Sequence, residues 1–168
     1  MALKNAFISY RRADTKNLTH SLYKDLIREF SEQQIFMDVD DIQPGTDFVE
    51  EINKKLKDTH AMIVMIGPQW TSLENKDGQH RLFEPNDFVR IEVEQALKKK
   101  IKVFPVLVDN AVMPAEHELP MSIKSLSRLH ALSLSSKDFN YQQHQVQQII
   151  KSLAPVLDPK SQRASVAP

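Results

Sequence analysis

Residues 61–66 read Ala-Met-Ile-Val-Met-Ile, an unbroken apolar run that decides the fold class. A strand with one face in water alternates apolar and polar residues, whereas a strand without alternation is buried on both faces. Burial on both faces is typical of parallel sheets, because helices cover both of their sides. Residues 61–66 therefore predict a fully covered strand in an α/β protein.

Four further strand-like runs flank this segment along the chain. They cover residues 6–9, 34–37, 103–108 and 129–134. Helical apolar repeats lie between them, the clearest being the four-residue spacing of Leu18, Leu22, Leu26 and Phe30. The alternation predicts a flavodoxin-like three-layer sandwich, a five-stranded parallel sheet of order 2-1-3-4-5 with helices on both faces.

Polar residues before the helical repeats predict where the helices begin. The expected capping residues are Asp14 or Thr15 for the first helix, Thr46 and Asp47 for the second, and Asn86 or Asp87 for the third. The polar segment at the end of the chain contains two prolines. We therefore expect one domain over residues 1–156 and a flexible tail over residues 157–168.

The composition excludes several classes of protein. Acidic and basic residues number 22 each, so no net field favours nucleic acid. The absence of cysteine excludes disulfides and thiolate metal sites. No apolar run is long enough to span a bilayer and no signal-peptide pattern is present, so we expect a soluble cytoplasmic protein.

The predicted topology also locates a candidate site. Ligands of doubly wound sheets bind beyond the carboxyl ends of the strands, where the winding direction switches. The loops at this edge exclude several familiar families with a doubly wound sheet. Tyr10, Arg11 and Arg12 follow the first strand, and Gly67-Pro68 follows the third. A phosphoryl-accepting receiver domain needs acidic residues at these places, and flavodoxin or dinucleotide-binding folds need a phosphate loop there.

Four segments resemble those of the TIR (Toll/interleukin-1 receptor) domain family, in particular its NAD-cleaving bacterial members. They read FISYRR at 7–12, FMDVDDIQPG at 36–45, FVRIE at 88–92 and FPVLV at 104–108. The resemblance extends from about residue 6 to residue 153. It implies cleavage of the nicotinamide–ribose bond, with NAD+ as substrate and no separate cofactor.

The resemblance assigns the catalytic role to Glu92. This residue lies four positions after Phe88, so both side chains share one stripe of the third helix. Breaking the glycosidic bond of NAD+ creates an oxocarbenium-like ribose, which a carboxylate can stabilise. By spacing alone, a Glu at this position would be a solvated surface group. Phe88 replaces the tryptophan of several relatives and keeps an aromatic ring for stacking or for a wall of the site.

The residues after the first strand leave two roles open. Arg11 and Arg12 suit the bidentate binding of pyrophosphate oxygens, or one of them forms an ion pair with Asp38, Asp40 or Asp41. Tyr10 either contacts the ligand or packs in the core.

The family's BB loop corresponds to residues 38–45. The resemblance implies that this loop gates the cleft and forms head-to-tail contacts between TIR domains. We expect further substrate contacts from Asp38, Asp40, Pro44, Gly45, Phe48 and Trp70. For Trp70, a ring that covers the top of the core is favoured over a ligand contact. The acidic spacing of the loop matches no calcium-binding template, so we expect no metal.

Two classes of function follow from these observations. The first is an enzyme that splits NAD+ into nicotinamide and ADP-ribose, or a cyclic or conjugated ADP-ribose that a separate effector senses in anti-phage defence. The second is a non-catalytic module that self-associates or docks on other TIR domains, including an effector that interferes with host TIR signalling.

Overall fold

The computed structural model describes residues 3–37 and 43–161. Its parallel sheet consists of β1 (Ala6–Ser9), β2 (Ile35–Met37), β3 (Ala61–Ile66), β4 (Lys102–Val108) and β5 (Leu132–Leu134). The main helices are α1 (Arg12–Glu29), α2 (Phe48–Leu56), α3 (Phe88–Lys98) and α4 (Phe139–Leu157). The strand order 2-1-3-4-5 confirms the predicted flavodoxin-like topology.

Strand β3 lies at the centre of the sheet, between β1 and β4. All of its residues are at most 1 % exposed, as the unbroken apolar run predicts. Alternate side chains enter opposite layers of the core: Ile63 and Met65 pack with residues of α1 and α4, whereas Met62 and Val64 pack with residues of α2 and α3. The layer containing α2 and α3 is the one that carries the candidate site.

Two of the predicted helix caps are present. Asp47 accepts a hydrogen bond from the backbone N–H of Val49 at 2.9 Å, and Asp87 accepts one from that of Arg90 at 3.0 Å. Each bond satisfies an N–H that the first turn of a helix leaves unpaired. The second cap matters for function, because it sets where α3 begins.

The start of α1 differs from the prediction. The helix begins at Arg12, after Arg11 in an extended conformation, so Asp14 and Thr15 lie inside its first turns. The Asp14 carboxylate instead accepts the backbone N–H of Gln69 at 3.0 Å in the loop after β3. Burial raises the pKa of Asp14, although the N–H groups of Gln69 and Gly67 and the charge of Arg11 oppose that rise. A tertiary contact thus replaces the local cap.

The C-terminal third also departs from the predicted boundaries. Strand β5 begins at Leu132 rather than residue 129, and a 3₁₀ helix over Met121–Arg128 precedes it. Helix α4 ends at the buried residue Leu157, whose carbonyl accepts the Gln34 side-chain amide at 2.5 Å. The predicted boundary after residue 156 therefore falls within the last helical turn, and residues 162–168 of the predicted tail lie outside the described residues. Within the described ranges, the helices are all too short or too polar to cross a membrane.

Candidate functional site

A cleft of about 780 Å³ opens where β1 ends and α3 begins. Its inner wall includes Ile8 of β1 with Val89 and Glu92 of α3, and its outer wall is the segment that joins β3 to α3. This volume is in the range of pockets that hold cofactor-sized ligands. The location is the switch region of the sheet predicted by the topology.

Glu92 lies on the inner wall and is only 5 % exposed. Its Oε1 accepts a hydrogen bond at 2.8 Å from the hydroxyl of Ser9, which is the last residue of β1. A buried carboxylate is uncommon unless it is paired or hydrogen-bonded. Glu92 is therefore not a solvated helix residue: it is held against the end of β1 and still borders the cleft.

Arg11 is a buried residue that also lines the cleft, at the same edge of the sheet. Its Nη1 and Nη2 donate to the two carboxylate oxygens of Asp87 at 2.9 and 2.7 Å, and its Nε donates to the backbone carbonyl of Trp70 at 3.2 Å. The Arg11 and Asp87 side chains are 4 % and 9 % exposed. The partner of this arginine in the described ranges is thus Asp87, whereas Asp38, Asp40 and Asp41, considered from the sequence, lie outside the described residues.

Aromatic side chains border the mouth of the cleft. Phe88 is 47 % exposed, and its ring packs against that of Phe48 with centroids 4.9 Å apart. Tyr10 also lines the cleft but is 8 % exposed, with its ring edge-on to His20 at 6.2 Å. Phe88 therefore presents an apolar surface to a ligand, while Tyr10 is largely a packed residue.

The outer wall carries additional charged side chains. Arg12 lines the cleft from the start of α1, and Lys76 and Arg81 line it from the segment before α3. In the described part of the chain, Lys76 and Arg81 form no ion pair, and the backbone of their segment is held by a bridge between Glu74 and His80. Cations at an accessible wall can bind an anionic ligand.

Four of the predicted ligand contacts do not line this cleft, and Phe48 is one of them, since it reaches the site only through its contact with Phe88. Trp70 is 1 % exposed and belongs to the core layer of α2 and α3. Pro44 and Gly45 are exposed and do not line the cleft, and Gly45 has φ of +86°, a value that favours glycine. The predicted contacts of Asp38 and Asp40 fall outside the described residues.

In the ranges 3–37 and 43–161, there is no group of three side chains suited to a metal ion.

Sequence reasoning did not single out Ser9, Lys76 and Arg81 as site residues, and it considered Asp87 only as a helix cap. Ser9 stands at the end of an apolar strand, where the pattern carries no sign of a partner 83 positions along the chain. The position of Ser9 at the carboxyl end of a strand was the available signal, since ligands bind at that edge of such sheets.

Fold and site together define a doubly wound α/β protein with a buried carboxylate at its switch region. The family model that matches the chain is described as "TIR domain" and covers residues 6–150, so the chain belongs to the TIR domain family. Among solved structures, the chain is similar to the TIR domains of the activated Roq1 resistosome, which directly recognises the pathogen effector XopQ. The two are 16 % identical with a TM-score of 0.62, over 89 % of this chain and 99 % of that one, which supports the fold alone. No curated protein sequence matches the chain.

Proposed function

We propose that this TIR domain cleaves the bond between nicotinamide and ribose in NAD+. The observation that carries the proposal is the buried Glu92 carboxylate, which borders a cleft of about 780 Å³ and accepts a hydrogen bond from Ser9. A carboxylate in a water-poor pocket stabilises positive charge better than one in bulk water, because the surrounding dielectric is low.

The proposed chemistry needs one such carboxylate. As the glycosidic bond breaks, its electron pair leaves with the pyridinium nitrogen, and neutral nicotinamide departs. Positive charge then develops on the ribose C1′ and ring oxygen, and the Glu92 carboxylate stabilises it. Addition of water at C1′, with loss of a proton, gives ADP-ribose, whereas attack by another group of the ligand or of an acceptor gives a cyclic or conjugated product.

The other walls of the cleft suit the remaining parts of NAD+. The exposed ring of Phe88, supported by Phe48, offers a stacking surface for nicotinamide. Arg12, Lys76 and Arg81 offer cations for the pyrophosphate. In this proposal, a separate effector protein senses the product as an immune signal. The cytoplasmic location expected from the sequence stays a prediction.

Assembly of several copies is part of the same proposal. The neighbour of known structure is a resistosome, and in this chain Pro44 and Gly45, next to α2, are exposed and available to a second copy. A neighbouring copy that contacts this loop would complete the cleft and shift the population towards an active form. If the chain binds other TIR domains without cleaving NAD+, the scaffold function is the correct one.

The direct test is an incubation of the purified chain with NAD+, followed by chromatography and mass spectrometry of the products. We expect nicotinamide and an ADP-ribose species, and a rate that rises more steeply than linearly with protein concentration. A crowding agent should raise the rate further, because it favours assembly. Intact NAD+ at the highest protein concentration, with the crowding agent present, would refute the enzymatic proposal in favour of the scaffold.

Substitution of Ser9 by Ala tests whether the hydrogen bond to Glu92 matters. We expect kcat for nicotinamide release to fall about 10- to 150-fold, since hydrogen bonds to charged groups contribute about 1.5–3 kcal/mol. Ser133→Ala, in an exposed position of β5, is the matched control and should keep the wild-type rate. Equal rates in the two variants would show that Glu92 does not depend on Ser9.

A further inference from the structure

The segment from the end of β1 to the start of α1 holds α3 at two points. Ser9 Oγ donates to Glu92, and the Arg11 guanidinium forms a two-bond ion pair with Asp87, the residue that caps α3. Glu92 and Asp87 are five positions apart on the chain, so the two attachments are separated by about 7.5 Å along the helix axis. Two attachment points on a rigid helix restrict both its sliding and its rotation, which a single contact cannot do.

The Asp87 carboxylate binds two partners at the same time. Its Oδ2 accepts both the Arg90 backbone N–H that caps α3 and the Arg11 Nη2. The same arginine also donates to the Trp70 carbonyl, in the loop after β3. One guanidinium therefore connects β1, the loop after β3 and the first turn of α3.

Arg11 and Asp87 both line the cleft, but their pairing with each other indicates a role other than direct ligand binding. With side chains 4 % and 9 % exposed, the pair has lost most of its hydration, and such pairs add little net stability compared with apolar residues. They can, however, select one arrangement of the elements that they join. Three of the five Arg11 N–H groups are engaged by protein acceptors, and the Nη1/Nη2 pair that could bind pyrophosphate oxygens in a bidentate manner is bonded to Asp87 instead.

From this geometry we infer that Arg11 is a positioning residue: through Asp87 it sets the placement of α3, and thereby of the Glu92 carboxylate in the cleft. The inference rests on the proposed function and deepens it, because it separates this arginine from the cations that contact the substrate. Pyrophosphate binding then falls to Arg12, Lys76 and Arg81.

The test is a double-mutant cycle of Arg11→Met, Asp87→Asn and the double variant, with kcat for nicotinamide release and the affinity for ADP measured for each. We expect Arg11→Met to lower kcat about 100-fold, as a misplaced catalytic group does. The double variant should lose no more kcat than the worse of the two single variants. Its asparagine side chain can still cap α3, and neither substituted residue leaves a buried charge without a partner. The dissociation constant for ADP should stay unchanged throughout.

Two results of this cycle would overturn the inference. If Arg11 binds phosphate, Arg11→Met weakens ADP binding at least about tenfold, the effect of losing a charge-assisted hydrogen bond. If the two residues act independently, the losses in kcat multiply in the double variant.

A readout without turnover distinguishes this inference from the proposed function. Amide hydrogen exchange in the first turn of α3 should be faster in Arg11→Met and should return towards the wild-type rate in the double variant. If wild-type protein releases no nicotinamide, the enzymatic proposal fails, while the exchange pattern and ADP affinity still decide whether Arg11 places the helix. Unchanged exchange in Arg11→Met would refute the positioning role.

Discussion

Substitution of Glu92 by Gln is expected to lower the rate of nicotinamide release by about 100- to 1,000-fold, the loss seen when one group that stabilises transition-state charge is removed. Gln has nearly the same shape as Glu but carries no charge, so it cannot stabilise the positive ribose. Its side-chain oxygen can still accept the Ser9 hydroxyl, which bonds Glu92 at 2.8 Å in the wild type. The fold should therefore persist, and circular dichroism should match that of the wild type.

Glu94 offers a control on the same helix. Its carboxylate accepts hydrogen bonds from Ser122 Oγ at 2.6 Å and from Arg90 Nε at 2.5 Å, and it does not line the cleft. Glu94→Gln keeps an acceptor for Ser122 and should release nicotinamide at the wild-type rate. If Glu92→Gln releases nicotinamide at the wild-type rate, the Glu92 carboxylate has no role in the mechanism, independently of the result for Glu94→Gln.

Substitution of Trp70 by Ala is expected to destabilise the domain by about 3–5 kcal/mol, the usual loss for a large buried aromatic residue. The side chain is 1 % exposed and packs in the layer of α2 and α3. Its removal leaves a cavity and also removes the ring whose centroid lies 6.0 Å from the Arg11 guanidinium. Because this is the only tryptophan, unfolding in urea should be followed by circular dichroism rather than by fluorescence.

Trp70→Phe separates packing from ligand binding. Phe keeps most of the ring, and it removes an indole N–H that is buried without a hydrogen-bond partner among the described residues. It should cost clearly less stability than Ala, and nicotinamide release should continue because Arg11 contacts the backbone carbonyl of residue 70, which remains. Loss of turnover in a stably folded Trp70→Phe variant would instead support a contact between Trp70 and the ligand.

Local patterns of the chain were sufficient for the fold. The run 61–66 has no polar residue, so no arrangement with an exposed face could hold it, and burial on both faces required helices on two sides. The start of α3 was also predictable, since Asp87 precedes a helical repeat. The start of α1 was not, because Asp14 finds a partner in Gln69, 55 positions away, instead of the N–H groups of its own helix.

The candidate site was predictable only in part. The position of Glu92 on α3 follows from the periodicity of the chain, which is a local property of the backbone. The order of the strands follows from the rules that limit connections between parallel strands. Which groups pair across the switch region depends on contacts between residues far apart in sequence, as between Ser9 and Glu92 or between Arg11 and Asp87. A side chain's burial and partners depend on how α3 docks against β1, and that docking is decided by the packing of the whole layer rather than by any short segment.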